Sequence, residues 1–217
     1  MHIVFEQIRT GGDRNFGYLL GDRDAKRAVL VDPSYTPETL VERARAQELT
    51  VTHILNTHGH HDHSNGNGRA AQLTGAVIGA HPDSPVAPSL RLADGSELDL
   101  GALRLRIMHV PGHSADHIVI YEETCQLLIT GDTLFVGKIG GTANDSDARV
   151  EWNSLRRMLA AFPDTATVWP GHDVGARPSS TLLLEKRSNP FLVCATLQEF
   201  LRLKDDWPIF KSRYGLR

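Results

Sequence analysis

The sequence predicts an α/β protein, two βα halves stacked as a four-layer αββα sandwich. Apolar, strand-like segments alternate with amphipathic ones along the 217 residues. A connection bearing Pro82, Pro85 and Pro88 joins the halves. Side chains suited to one site come from early and late in the chain, so both halves must face it.

Each element has its own signal. Turn residues at Gly11-Gly12 and Gly21-Asp22 separate apolar stretches and predict antiparallel hairpins. Thr36-Pro37 opens a helix to about Leu49, with Thr36 as N-cap and Pro37 at the first helical position. Val51 to Leu55 is an apolar strand. Arg69 to Leu73 reads as a short helix and Ala76 to Ala80 as a strand, and Leu92 to Leu128 alternates strands and turns. Trp152, Leu155, Leu159 and Phe162 share one face, which makes Arg149 to Ala161 helical. Thr196-x-x-Glu199 ahead of Phe200-Leu201 is a capping box for a late helix. With 41% apolar residues, residues 1–217 are expected to form one domain with a short C-terminal helical tail.

Composition narrows the function. A net charge of −3 without a Lys/Arg-dense stripe argues against a nucleic-acid surface. The N-terminus lacks a signal pattern, and no run is long enough to cross a bilayer, so no membrane is expected. Cys125 and Cys194, without a CxxC, make a disulfide framework unexpected and cytoplasmic placement the default. Both cysteines are expected to be small buried apolar filler, and the chain to be a monomer or homodimer. There is no GxSxG elbow and no GxGxxG after a strand, and the glycine-rich Gly131 to Lys138 has the wrong spacing for a phosphate loop.

The informative run is His58-Gly59-His60-His61-Asp62-His63, directly after the Val51–Leu55 strand. Burying such groups without partners costs a few kcal/mol each, and a metal partners them all. Pro111-Gly112-His113, Gly131-Asp132-Thr133 and Pro170-Gly171-His172 repeat the same pattern: a strand, a glycine turn, one ligand. Four strand ends thus supply His58, His60, Asp62, His63, His113, Asp132 and His172. His61 occupies a spacer position and is expected at the surface, and His53, His81 and His109 have no motif support. His117 is either a partner to the ligands or core packing on the following strand.

This constellation resembles the metallo-β-lactamase-fold hydrolases, whose signature runs His-x-His-x-Asp-His, then His, Asp and His. The resemblance implies one metal on His58, His60 and His113, a second on Asp62, His63 and His172, and Asp132 as the bridge. Asp62 and Asp132 are then the catalytic carboxylates. Within that superfamily Thr57-His58, Gly131-Asp132-Thr133-Leu134-Phe135 and Asn189-Pro190-Phe191 look most like the glyoxalase II (hydroxyacylglutathione hydrolase) branch. Imidazole and carboxylate donors without thiolate suit Zn(II), Fe(II) or Mn(II) alike, and the resemblance implies two divalent ions, with Zn(II) expected ahead of Fe or Mn. Two such ions about 3.5–4 Å apart can share a hydroxide, because bound water drops to a pKa near 7. A thiolate, with a pKa of about 8.5, leaves without prior protonation, so a small-molecule thioester is the expected substrate, a hydroxyacylglutathione above others.

The chain departs from that branch where the carrier would bind. Lys138-Ile139-Gly140-Gly141 stands where the branch has Gly-Cys-Gly-(Lys/Arg), and Val174 stands where it has Tyr. Lys138 is the candidate substrate-binding replacement. Lys186 and Arg187 read as a solvated helix face. The alternatives are a mononuclear-iron oxidoreductase of the persulfide dioxygenase kind, and a lactonase.

Overall fold

The structure, a computed structural model, describes residues 2–214; the expected unit of 1–217 therefore includes Met1 and residues 215–217, outside the described residues. The first half contains β1 (Ile3–Gly11), β2 (Asn15–Asp22), β3 (Arg27–Val31), α1 (Pro37–Ala46), β4 (Thr50–Leu55), α2 (His61–Ser64), α3 (Asn67–Thr74), β5 (Val77–Ala80) and β6 (Leu90–Arg91). The second contains β7 (Glu97–Leu100), β8 (Leu103–His109), β9 (Ile118–Glu122), β10 (Leu127–Gly131), β11 (Leu134–Phe135), β12 (Lys138–Ile139), α4 (Asp145–Ala161), β13 (Thr167–Pro170), β14 (Ser180–Thr181), α5 (Leu182–Ser188) and α6 (Leu197–Tyr214).

Two six-stranded sheets form, ordered β1-β2-β3-β4-β5-β6 and β14-β13-β10-β9-β8-β7. The period of two on a strand explains the layering. On β2 and β3, Tyr18, Leu20, Val29 and Val31 meet Leu105, Ile107, Ile118 and Ile120 between the sheets. Their neighbours Leu19, Ala28 and Leu30 point outward onto Leu40, Val41 and Ala70 of α1 and α3. On β9, Val119 and Tyr121 face Leu155, Met158 and Phe200 of α4 and α6. Helices thus cover both outer faces, which is the expected αββα sandwich.

Topology gathers the functional loops at one edge. β13 runs parallel to β10, and β9 is antiparallel to both β10 and β8. The C-terminal ends of β8, β10 and β13 therefore point the same way. In the other sheet β4 is parallel to β3 and β2 antiparallel to it, so the end of β4 meets the start of β2.

Several boundaries differ from expectation, each for a local reason. α1 stops at Ala46 rather than near Leu49, because Glu48 takes a left-handed φ of 59°. Thr36 flanks α1 but its hydroxyl donates to Thr10 O at 3.1 Å instead of capping. Gly21 and Asp22 lie inside β2, and the turn follows them. Gly21 is there for packing, since a Cβ would fall 2.4 Å from Leu49 Cδ1. α4 begins at Asp145, four residues before the expected start, because the Asn144 side chain caps it by accepting from Asp147 N at 3.0 Å. The capping box forms as read: Glu199 N donates to Thr196 Oγ1, and Thr196 N to Glu199 Oε2. The cysteines correct the filler reading. Cys125 is exposed in the β9–β10 turn and Cys194 half-buried, because Glu122, not the thiol, fills the turn by accepting from Cys125 N at 2.7 Å.

Candidate metal centre

All seven sequence-selected ligands converge at this edge. Three groups have ligand atoms within 4.8 Å of one another: His58, His60 and His113; His58, His63 and Asp132; and Asp62, His63 and His172. In the first, His60 Nδ1 lies 3.0 Å from His58 Nε2 and 3.1 Å from His113 Nε2. Nitrogens bound tetrahedrally to one Zn(II) lie about 3.3 Å apart, given bonds of about 2.0–2.1 Å. In the third, His172 Nε2 is 3.2 Å from His63 Nε2 and 3.3 Å from Asp62 Oδ2.

Asp132 lies between them. Its Oδ2 is 3.3 Å from His172 Nε2 and 3.7 Å from His113 Nε2, and its Oδ1 is 3.4 Å from His63 Nε2. That Oδ1 is buried without a hydrogen-bond partner. An orphaned carboxylate oxygen facing imidazole nitrogens is expensive unless a cation completes it.

The opposite ring nitrogens are anchored. His58 Nδ1 donates to Thr57 Oγ1, which itself donates to Asp32 Oδ2 at 2.7 Å. His63 Nδ1 donates to Asp32 Oδ2 at 3.1 Å. His113 Nδ1 donates to Gly141 O, and His172 Nδ1 to Asp13 O, both at 2.8 Å. With the proton held on Nδ1, each Nε2 lone pair faces inward, the tautomer a metal ligand requires. The donor set fits divalent metal ions.

Charge follows the same arrangement. Burial pushes His58 and His113 below the usual imidazole range, leaving them neutral. Burial opposes a charge on His172, but Asp132 and Asp62 overcome it and raise the ring to about 10. His63 is raised likewise, against burial, by Asp132 and Asp32. The His172 hydrogen bond holds Asp62 below the usual carboxylate range. The carboxylates thus favour a positive charge wherever protons, or metals, can enter.

Other side chains take the places their surroundings dictate. His61 is exposed, and His117 is fully buried, accepting from Asp132 N at 3.0 Å. His81 and His109 stack on each other at 4.0 Å away from the ligands. Lys186 pairs with Asp164 at 2.5 Å on the surface. Sequence reasoning assigned no role to Asp32, Asn15 or the carbonyls of Asp13 and Gly141.

Beneath the centre, α4 and α6 brace the His113 loop. Gly112, with φ of 143°, packs where a Cβ would fall 2.3 Å from Glu151 Cβ. Ser154 Oγ donates to Pro111 O at 2.7 Å. Lys204 of α6 pairs with buried Glu151 and donates to Gly140 O at 3.3 Å. Alongside lies a cleft of about 460 Å³ with Phe135, Phe191 and Trp207 as apolar walls and Lys138 and Lys211 as cations. Burial, then repulsion from Lys211 and Arg14, lowers Lys138 to about 8.

A family model described as the metallo-beta-lactamase superfamily matches residues 10–172. The chain belongs to this superfamily. Among its relatives, a hydroxyacylglutathione hydrolase of Methylococcus capsulatus is 36% identical, over 93% of this chain and 87% of the relative. One of Polaromonas sp. is 34% identical, over 79% of this chain and 67% of the relative. The chain spans about two thirds of the length of several such relatives. A crystal structure of ETHE1 from Myxococcus xanthus superposes with a TM-score of 0.87 at 29% identity, covering 94% of this chain and 91% of that one. TTHA1623, in a di-iron-bound form, gives 0.72 at 29% identity, covering 86% and 100%. These likenesses support a metal-dependent hydrolase and divalent metals.

Proposed function

We propose that this chain is a dinuclear metal-dependent thioesterase, acting on a hydroxyacylglutathione or a similar anionic thioester. The observation that carries the reading is Asp132, which reaches His113 of one triad and both His63 and His172 of the other. His58, His60 and His113 would hold one ion, Asp62, His63 and His172 the other, and Asp132 both. Zn(II) is the first candidate, with Fe(II) or Mn(II) as alternatives; imidazole and carboxylate donors accept all three. When bound, the ions supply Lewis acidity and water activated near neutral pH.

The remaining work falls to the chain's own groups. Asp32 and the Asp13 and Gly141 carbonyls keep the imidazoles oriented. Phe135, Phe191 and Trp207 would shield the acyl-sulfur bond, while Lys138 and Lys211 would receive carboxylates of the thiol carrier. A thiolate leaves without a protein acid. Relatives named hydroxyacylglutathione hydrolase support the glutathione carrier.

The test is thiol release from S-lactoylglutathione by metal-replete protein, with oxygen consumption followed in parallel on glutathione persulfide. Rapid thiol release without oxygen uptake is expected. Oxygen uptake with one iron per chain would instead establish the persulfide dioxygenase alternative, and activity confined to lactones the lactonase.

A further inference from the structure

We infer that Asn15 is the positioning residue on which filling of the second metal position, Asp62, His63 and His172, depends, separately from the first. The inference rests on the dinuclear reading above and names a residue that reading leaves without a task. Asn15 is fully buried at the start of β2. Its Nδ2 donates to both Asp62 Oδ2 and Asp62 O, each at 3.0 Å. The same nitrogen lies 3.5 Å from His172 Nε2, so the amide faces two members of the second position. The amide cannot be turned over, because Oδ1 would then face two acceptors. That orientation leaves Asn15 Oδ1 buried without a partner. Such a cost, tolerated beside a polar cluster, points to a task other than stability.

Asp62 needs this clamp. Its side chain is 35% exposed, and it sits in a four-residue helix without a side-chain cap. Nothing else described restrains its backbone and carboxylate together. The same hairpin grips the other side of the position. Asn15 bridges His172 as an isolated antiparallel pair, Phe16 N donates to Gly171 O at 2.8 Å, and Asp173 N donates to Arg14 O at 2.9 Å. His172 Nδ1 is fixed by Asp13 O. The first position is anchored elsewhere, through Thr57 and Gly141. Asp32 serves both positions, through Thr57 to His58 and directly to His63. The contacts of the Asn15 side chain, however, fall on Asp62 and His172 alone, so its loss removes support from the second position only.

The experiment titrates metal-free full-length protein with Zn(II) against a chromogenic chelator, comparing wild type with Asn15→Ala and the milder Asn15→Ser. Wild type is expected to take two ions. Both variants should keep the first with little change and bind the second roughly 10–100-fold more weakly, the usual cost of removing a group that orients a ligand. An intact first site shows that the variant has folded. Unchanged second-site affinity, equal weakening of both sites, failure of both variants to bind any metal, or a wild type that takes only one ion would each overturn the inference. Selective loss in a protein that hydrolyses no thioester would leave Asn15 in this role and remove the proposed substrate.

Discussion

The amide nitrogen of Asp132 donates to Nε2 of His117 at 3.0 Å. The His117 ring also stacks on His58, with centroids 4.7 Å apart and planes 20° from parallel. One imidazole therefore fixes the backbone of Asp132 and one face of the His58 ring. Burial pushes His117 well below the usual imidazole range, so it is neutral, accepting at Nε2 and donating from Nδ1 to Thr133 Oγ1.

His117→Ala would leave the Asp132 amide unpaired in a buried site, at a cost of about 1–3 kcal/mol. The looser carboxylate should lower kcat roughly 10–100-fold with little change in KM. Steady-state kinetics beside thermal melting checks both effects. Full kcat with lowered stability would make His117 packing alone.

Glu151 gives the protein a pH dependence independent of the ligands. Burial raises its carboxyl to about 7, with Lys204 opposing. The folded chain thus holds this proton more tightly than the unfolded one. Stability from the group is fully present below about pH 4.5 and is lost as pH rises through about 7. The loss is at most about 3 kcal/mol, at about 1.4 kcal/mol per pKa unit. Denaturant unfolding of metal-free wild type and Glu151→Gln at pH 5 and pH 8 should show wild type losing ground to the variant at the higher pH. Parallel profiles would refute the raised value.

Chemistry was more legible in the sequence than geometry. His58 to His63 could be read because ligand types at short spacing carry their meaning without a fold. Asp32 could not, because it meets His63 across 31 residues and its role exists only once β3 and β4 pair. The Asp13 and Gly141 contacts are carbonyls and have no side-chain signature at all. The αββα layering followed from the order of strand-like and helical segments in two halves and from site residues supplied by both. Turn letters misled at Gly21, where glycine serves Leu49 packing, and polarity misled at Cys125, which the turn leaves exposed.

Lys138 tests the substrate side. Lys138→Met should raise KM for an anionic thioester about tenfold, equivalent to about 1.4 kcal/mol, and leave kcat nearly unchanged. The salt dependence of KM should weaken in the variant, because exposed charge attraction is screened within about 8–10 Å. Equal KM values for wild type and variant would remove Lys138 from carrier binding.

The two-metal claim is tested most directly by adding Zn(II) in measured equivalents to metal-free wild type while following thiol release from S-lactoylglutathione. Activity should be low at one equivalent and maximal at two, with Asp132→Asn inactive throughout. Full activity at a single equivalent, or a fully active Asp132→Asn, would contradict a centre built around a shared carboxylate.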